Sequence, residues 1–232
     1  MSSFEAIIQR GPRVLRYSVP QSEIAGDEKE IMRLGRIVFD AKTPGDLIRV
    51  TGIQTSRIRE QAVVPVEYNL SDHVRATVRK LIAQSRWYDK LDMGFWKATI
   101  LGLNSHDTGK TRAINGDHPH VSADYAEKMF DILVREGFVD AETRDLAVNI
   151  ARLHHGLGDV VHGWNQLSES ALQRIFPTEF SQIALVAAVK ADMHTWDQGQ
   201  RWWKEDIEPA MSAILPKAGV VFSGLDRGWR LG

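Results

Sequence analysis

Histidine and aspartate are grouped in this chain in a way that could bind metal ions. Seven of its eight histidines lie between positions 106 and 194, and two of them, His154 and His155, are adjacent. His106 is followed directly by Asp107, which places a nitrogen ligand beside an oxygen ligand. Because the chain contains no cysteine, a thiolate zinc site, a disulfide framework and a cysteine nucleophile are excluded. Any metal must be bound by histidine and carboxylate side chains.

The pair His106-Asp107 needs an irregular backbone position if both side chains are to face one ion. On a regular helix the two side chains would diverge by about 100°. The apolar pattern from Phe95 to Leu103 predicts a helix that runs up to this pair, and Gly109 is suited to end that helix. We therefore expect His106 and Asp107 at a helix terminus.

Four more helices are predicted around this one, from apolar residues that recur with helical spacing. A glycine-containing loop, from Gly156 to Gly163, is expected between the last two. In chain order, the predicted helices are one from Ser71 with His73 in its first turn, the helix that ends near His106, one from His118, one from Ala141 to about His155, and one after Pro177 with Asp192 in its last turn.

The first 70 residues differ from the rest of the chain. They contain a charged segment, Gly26–Arg36, and two short stretches with strand-like composition, Leu47–Ile53 and Ala62–Tyr68. No candidate ligand lies in this part of the sequence. We predict a small N-terminal extension of mixed structure over residues 1–70 and a helical domain over residues 71–232.

The overall composition is that of a folded globular protein. Charged residues make up 25% and hydrophobic residues 43% of the chain, which is too apolar for intrinsic disorder. The formal net charge of −1 provides no general attraction to nucleic acid or to anionic membranes. Because no apolar run approaches membrane-spanning length and no signal peptide is recognised, we expect a cytoplasmic protein without membrane contact.

The order of the candidate ligands resembles the H…HD…D pattern of the HD superfamily of metal-dependent phosphohydrolases. His106-Asp107-Thr108-Gly109-Lys110 matches the HDxGK form of that pattern. The run from His118 to Ala123 resembles the family's HxxxSA or HPxxGA segment, and His154-His155 resembles the HH of members with two-metal sites. The resemblance covers residues 71–197 and implies a mainly α-helical fold, an HD-domain helical bundle.

The resemblance also implies roles for individual residues. Asp107 would bridge two ions and, with Lys110, would take part in catalysis. Lys110 would reach the substrate phosphate, and His155 would bind either a metal or the substrate. His118 and His120 compete for one ligand position, and the spacing to Ser122-Ala123 favours His118. The implied metal ligands are His73, His106, Asp107, His118, His154, His155 and Asp192.

The expected activity is hydrolysis of phosphodiester bonds in nucleic acid or in a cyclic or short oligonucleotide, by a water activated by divalent metal. The ligand types are compatible with two ions of Mn, Fe, Co, Ni or Zn. The chain is similar to CRISPR-associated HD nucleases and to HD-GYP phosphodiesterases, although Gly156-Leu157-Gly158-Asp159 replaces the GYP segment. Alternative functions are a nucleotide or deoxynucleotide phosphohydrolase, a non-catalytic nucleotide sensor and a di-iron oxygenase.

Two groups of residues are assigned no catalytic role. His162 and His194 are interpreted as loop or packing residues. The tryptophans near the C-terminal end are interpreted as core or rim residues, with stacking on a substrate base as the alternative. They are Trp196, Trp202 and Trp203.

Overall fold

The structure is a computed structural model of the chain, and it describes residues 3–10, 13–20, 28–51, 70–84, 91–111, 118–164 and 167–218. It confirms the predicted mainly α-helical fold. The elements are strands β1 (Ser3–Arg10) and β2 (Arg13–Pro20), helices α1 (Glu28–Asp40), α2 (Leu70–Ala83), α3 (Met93–Ser105), α4 (His118–Arg135), α5 (Ala141–Leu153), α6 (Gly156–His162), α7 (Glu169–Ile175), α8 (Glu179–Met193), α9 (Asp197–Trp202) and α10 (Glu208–Ile214), 3-10 helices over Pro44–Val50 and Thr108–Thr111, and a π-helical segment over Trp203–Ile207.

Helices α3 and α8 form the centre of the helical assembly. Both are buried on nearly all sides, because their sequences combine apolar residues with small ones such as alanine. Helix α3 contacts α2, α4, α5 and α8, and α4 packs against α5. Asp107 follows the C-terminal end of α3, and Asp192 lies in the last turn of α8.

Side-chain caps set where the two central helices begin. Asp92 accepts a hydrogen bond from the backbone N–H of Phe95 at the start of α3, at 3.1 Å. Thr178 accepts one from the backbone N–H of Ser181 at the start of α8, at 3.0 Å. These bonds satisfy amide groups that the first helical turn leaves without partners.

The part of the N-terminal region over residues 28–51 packs into the same hydrophobic core. Leu34 and Val38 of α1 are fully buried there, as are Leu47 and Val50 of the first 3-10 helix. Helix α1 contacts α4, and the 3-10 helix contacts α2 and α3. Strands β1 and β2 form an antiparallel hairpin with Ser3 opposite Pro20.

The prediction of a strand over Leu47–Ile53 is wrong for its described part. Residues Pro44–Val50 form a 3-10 helix instead. Pro44 suits a first helical turn, and the backbone N–H of Thr43 donates to the Asp46 carboxylate at 2.8 Å, which favours a helical start. Ile53 and the second predicted strand, Ala62–Tyr68, lie outside the described residues.

The predicted loop from Gly156 to Gly163 is also wrong, because helix α6 occupies Gly156–His162. Gly156 is buried, and a Cβ atom there would lie 3.3 Å from Leu172 Cδ1, so this glycine permits close packing. Gly163 ends the helix with a left-handed conformation, at φ 67°. In the described part of the chain, no helix is both long enough and apolar enough to cross a membrane.

Candidate metal centre

The ends of helices bring the candidate ligands together. His73 lies in the first turn of α2, and Asp192 lies in the last turn of α8. Helix α3 ends at Ser105, so His106 and Asp107 occupy a turn before the second 3-10 helix. This break in the helix allows the neighbouring side chains to reach the same buried position, with His106 Nε2 3.5 Å from Asp107 Oδ2.

A first group of donor atoms consists of His73, His106, Asp107 and Asp192. His73 Nε2 lies 2.9 Å from Asp192 Oδ1, 3.3 Å from Asp107 Oδ2 and 3.3 Å from His106 Nε2. His106 Nε2 lies 3.4 Å from Asp192 Oδ1. Ligands bound to one ion at about 2.1 Å lie about 3.0–3.4 Å from one another in octahedral or tetrahedral geometry. The spacing of this group therefore fits a shared ion.

A second group consists of His118, His154 and His155, whose ring nitrogens also lie close enough together to hold a metal ion. His118 Nε2 is 3.2 Å from His154 Nε2. Asp107 Oδ1 faces this group, at 3.2 Å from His118 Nε2 and 3.7 Å from His154 Nε2. Asp107 thus directs one carboxylate oxygen toward each group.

Backbone hydrogen bonds determine which nitrogen of two histidines faces the centre. The Nδ1–H of His106 donates to the carbonyl of Leu103 at 2.6 Å, and the Nδ1–H of His154 donates to that of Ala151 at 2.9 Å. A neutral imidazole protonated at Nδ1 has a lone pair on Nε2. In the neutral form, each Nε2 would therefore point an electron pair toward carboxylate oxygens and other ring nitrogens, an arrangement that a cation would stabilise.

The two carboxylates of the first group stay ionised, although Asp107 is buried and Asp192 is largely buried. Burial by itself would raise the pKa of Asp107, but interactions with His106, His118 and His73 and with the Lys110 ammonium hold that pKa well below its usual range. For Asp192, His106 and His73 likewise outweigh burial and lower the pKa. The centre therefore contains two negative charges that can bind a cation.

The histidines of the two groups differ in their protonation. Burial disfavours the charged form of His73, yet Asp107 and Asp192 raise its pKa to about 9. Burial and the neighbouring His155 lower the pKa of His154 well below its usual value. His155 is exposed as a residue, but its ring packs 4.2 Å from that of His154, and desolvation together with His118 lowers its pKa to about 4. His154 and His155 are thus neutral near pH 7 and able to donate electron pairs.

Lys110 contacts Asp107 directly, with Nζ 2.6 Å from Oδ2. Its side chain is 30% exposed, whereas Asp107 is 1% exposed. The lysine therefore lies between the buried carboxylate and the solvent, at the edge of the first group. The expected contact of Lys110 with a substrate phosphate stays a prediction.

Gly109 does not end helix α3 as predicted, because that helix already ends at Ser105. Its role is close packing of the second 3-10 helix against the start of α4. A Cβ atom on Gly109 would lie 2.4 Å from the carbonyl oxygen of His118 and 2.7 Å from the backbone nitrogen of Ser122. The Gly109 N–H also donates to Ser122 Oγ at 2.8 Å. The absence of a side chain at Gly109 thus lets His118 approach Asp107.

We expect Gly109→Ala to lower the free energy of unfolding by about 1–3 kcal/mol, because the new methyl group overpacks backbone atoms that cannot rotate away. It should also weaken metal binding to the second group, since His118 moves with the backbone. Chemical denaturation and metal titration measure both effects. The matched control is Gly158→Ala, since a Cβ at Gly158 meets no atom within 4 Å. Equal stability of the two variants would contradict this role for Gly109.

Thr195 is a contact of the centre that sequence analysis missed. Its hydroxyl donates to the carbonyl of Asp192 at 2.7 Å and lies 3.3 Å from His73 Nδ1. Because the hydroxyl proton is already used, Thr195 Oγ1 can only accept from the Nδ1–H of His73, which leaves Nε2 facing the ligands. A threonine three residues after an aspartate carries no distinctive sequence signal.

Thr195→Val should weaken metal binding to the first group about 10- to 100-fold, the usual effect of removing a hydrogen bond that orients a ligand. Valine keeps the shape of the side chain but removes the acceptor for His73. Competition with a metal-binding dye measures the affinity. Thr195→Ser, which retains the hydroxyl, should behave like the parent protein; equal affinities for the valine and serine variants would exclude this role.

The remaining histidines lie away from the two groups. His120 is exposed, whereas His118, two residues earlier, is buried against Asp107. The ring of His162 stacks on Trp164 with centroids 4.5 Å apart. The ring of His194 lies edge-on to Trp203, and burial together with Lys190 lowers the pKa of His194 to about 4.

The described residues thus form two adjoining groups that could hold metal ions. One contains His73, His106 and Asp107, with Asp192 beside His73, and the other contains His118, His154 and His155. The resemblance to the HD superfamily stays a prediction from the sequence. Comparison of the chain with models of known families, with curated proteins and with solved structures finds no match in any of the three.

Proposed function

We propose that this chain is a metal-dependent phosphohydrolase of the HD type that cleaves phosphodiester bonds in nucleic acid or in a cyclic or short oligonucleotide. The observation that supports this proposal is the position of Asp107, whose two oxygens face two separate groups of histidines. A carboxylate between two metal sites is typical of enzymes that hydrolyse phosphate esters with paired ions.

The donor set suits transition metals. Nitrogen donors outnumber carboxylates, which favours Mn, Fe, Co, Ni or Zn over Mg. When bound, such ions would supply water activation near neutral pH and charge neutralisation at the phosphate. The first ion would be held by His73, His106, Asp107 and Asp192, and the second by His118, His154, His155 and Asp107.

Lys110 is the residue best placed to meet a substrate phosphate. Its ammonium group contacts Asp107 Oδ2, an oxygen that the first ion would also need. An ion at that oxygen would compete with the lysine and release Nζ toward the solvent side of the centre. There the ammonium would stabilise the negative charge that develops on phosphoryl oxygens.

His155 has the exposure required for substrate contact. It is the exposed member of the second group, while His118 and His154 are buried. An exposed ring next to a metal position can either complete the coordination or donate a hydrogen bond to a phosphate oxygen. Both roles keep His155 at the entrance of the centre.

The experiment that tests the function is an incubation of purified protein, loaded with Mn, with single-stranded DNA, RNA, cyclic dinucleotides and deoxynucleoside triphosphates. We expect cleavage of at least one phosphodiester substrate, with the same rate under anaerobic conditions. A rate that requires oxygen would indicate an oxygenase instead. Hydrolysis of triphosphates alone would indicate a nucleotide phosphohydrolase and contradict phosphodiester specificity.

A negative control separates this activity from a contaminating enzyme. Asp107→Ala, purified in the same way, should leave every substrate intact. If the parent protein, loaded in turn with Mn, Fe, Co, Ni and Zn, also leaves all substrates intact, the hydrolytic proposal is wrong. Unchanged nucleotide binding by the variant would then favour a non-catalytic sensor.

A further inference from the structure

A cleft between α1 and the first 3-10 helix carries an unusual concentration of arginine. Its volume is about 590 Å³, which lies within the range of small-molecule binding sites. Arg33 and Arg36 lie three residues apart on α1, and Arg49 enters from the 3-10 helix. The lining residues are Glu28, Lys29, Met32, Arg33, Arg36, Ile37, Asp40 and Arg49.

The three arginines of this cleft are exposed, and none forms an ion pair with a carboxylate of the described residues. Asp46 lies near Arg49, but its carboxylate already accepts the backbone N–H groups of Lys42 and Thr43. Because Arg33, Arg36 and Arg49 line one cleft, their like charges repel one another. A bound anion would remove that repulsion.

The acidic residues of the cleft do not balance its positive charge. Leaving Lys29 aside, three arginines line it, against the two carboxylates of Glu28 and Asp40. Glu28 also contacts a residue outside the cleft, because its Oε1 lies 3.4 Å from Arg135 Nη2. The cleft therefore retains a local positive charge in a chain whose formal net charge is −1.

The cleft is separate from the metal centre. The contact between Glu28 and Arg135 places it near the C-terminal end of α4, whereas His118 begins that helix. With a rise of 1.5 Å per residue, these ends lie about 25 Å apart. The end of the cleft at Glu28 is therefore far from His118, and no residue that lines the cleft is a candidate metal ligand.

We infer that this cleft binds a small molecule that carries a chain of two or more phosphate groups. One guanidinium group forms a pair of hydrogen bonds with the oxygens of one phosphate. Three guanidinium groups therefore offer more donors than a single phosphate can accept in this way. Met32 and the largely buried Ile37 offer apolar surface for an organic part of the ligand. The inference does not depend on the proposed hydrolytic activity.

The test is calorimetric titration of the full-length, metal-free protein with inorganic tripolyphosphate. Metal is left out because tripolyphosphate chelates divalent ions, and because an ion in the metal centre could bind phosphate there. We expect one binding site per chain, with affinity reduced about tenfold or more in the double variant Arg33→Gln/Arg36→Gln. Arg49→Gln, on a different element, should also weaken binding, which guards against a folding defect confined to α1.

The matched control is Arg174→Gln/Arg201→Gln, which removes the same charge from two exposed arginines outside the cleft. It should bind tripolyphosphate like the parent protein. Equal weakening in both double variants would show a general charge effect and overturn the inference, as would the absence of measurable binding. Tighter binding of a twenty-residue oligothymidylate through the same three arginines would assign the cleft to a nucleic-acid strand and overturn the small-molecule ligand.

Discussion

Replacing Asp107 with alanine should remove bound metal from both groups and lower phosphodiester hydrolysis by about 10³-fold or more. The physical reason is that one carboxylate serves two sites, with Oδ2 beside His73 and Oδ1 beside His118. Loss of this residue also removes negative charge from a buried position where several imidazoles converge. Elemental analysis of the purified variant and initial rates with Mn measure the two effects.

The matched control for this substitution is Asp124→Ala. Asp124 is exposed on helix α4, so its removal changes the net charge equally without altering the centre. It should retain the metal content and the rate of the parent protein. An Asp107→Ala variant that still holds two ions per chain would show that Asp107 is not shared, whatever its activity.

Removing metal with a chelator should lower the melting temperature by about 10–20 °C relative to protein saturated with Mn. Each of the two ions, present at 100 times its Kd, stabilises the folded state by about 2.7 kcal/mol, and each kcal/mol corresponds to about 2–4 °C for a chain of this size. In this protein the buried Nε2 atoms of His106 and His154 face other electron-rich atoms, so an ion relieves repulsion inside the core. Differential scanning calorimetry measures the shift.

Two comparisons make the melting experiment specific for the centre. Mg should produce a smaller shift than Mn, because most donors are imidazole nitrogens. Asp107→Ala should produce no shift with either metal. A shift of equal size in this variant would mean that the ions bind elsewhere on the protein.

The helical part of the fold could be predicted because it depends on local patterns. Apolar spacing acts within one or two turns and is visible in the sequence, and the caps Asp92 and Thr178, which the structure adds, act over the same short range. Predictions were wrong where one residue type is compatible with two local structures. The sequence pattern predicts a loop at Gly156, whereas the missing side chain of this glycine permits close packing against Leu172.

The candidate ligands were identified from residue type and order, yet their arrangement depends on distances between helices. Sequence spacing could only favour His118 over His120, whereas burial places His118 against Asp107 and leaves His120 exposed. The contact of Thr195 with His73 joins residues 122 positions apart, so no local pattern could indicate it.

Residue chemistry alone thus determined that any metal is bound by nitrogen and oxygen, since the chain has histidine and carboxylate donors but no thiol. Tertiary packing decided that Asp107 faces two groups, that Lys110 pairs with it, and that three arginines share a distant cleft. The physical reason is the distance in the sequence over which each property is determined. Donor identity belongs to single side chains, whereas a shared ligand or a charged cleft exists only where separate helices meet.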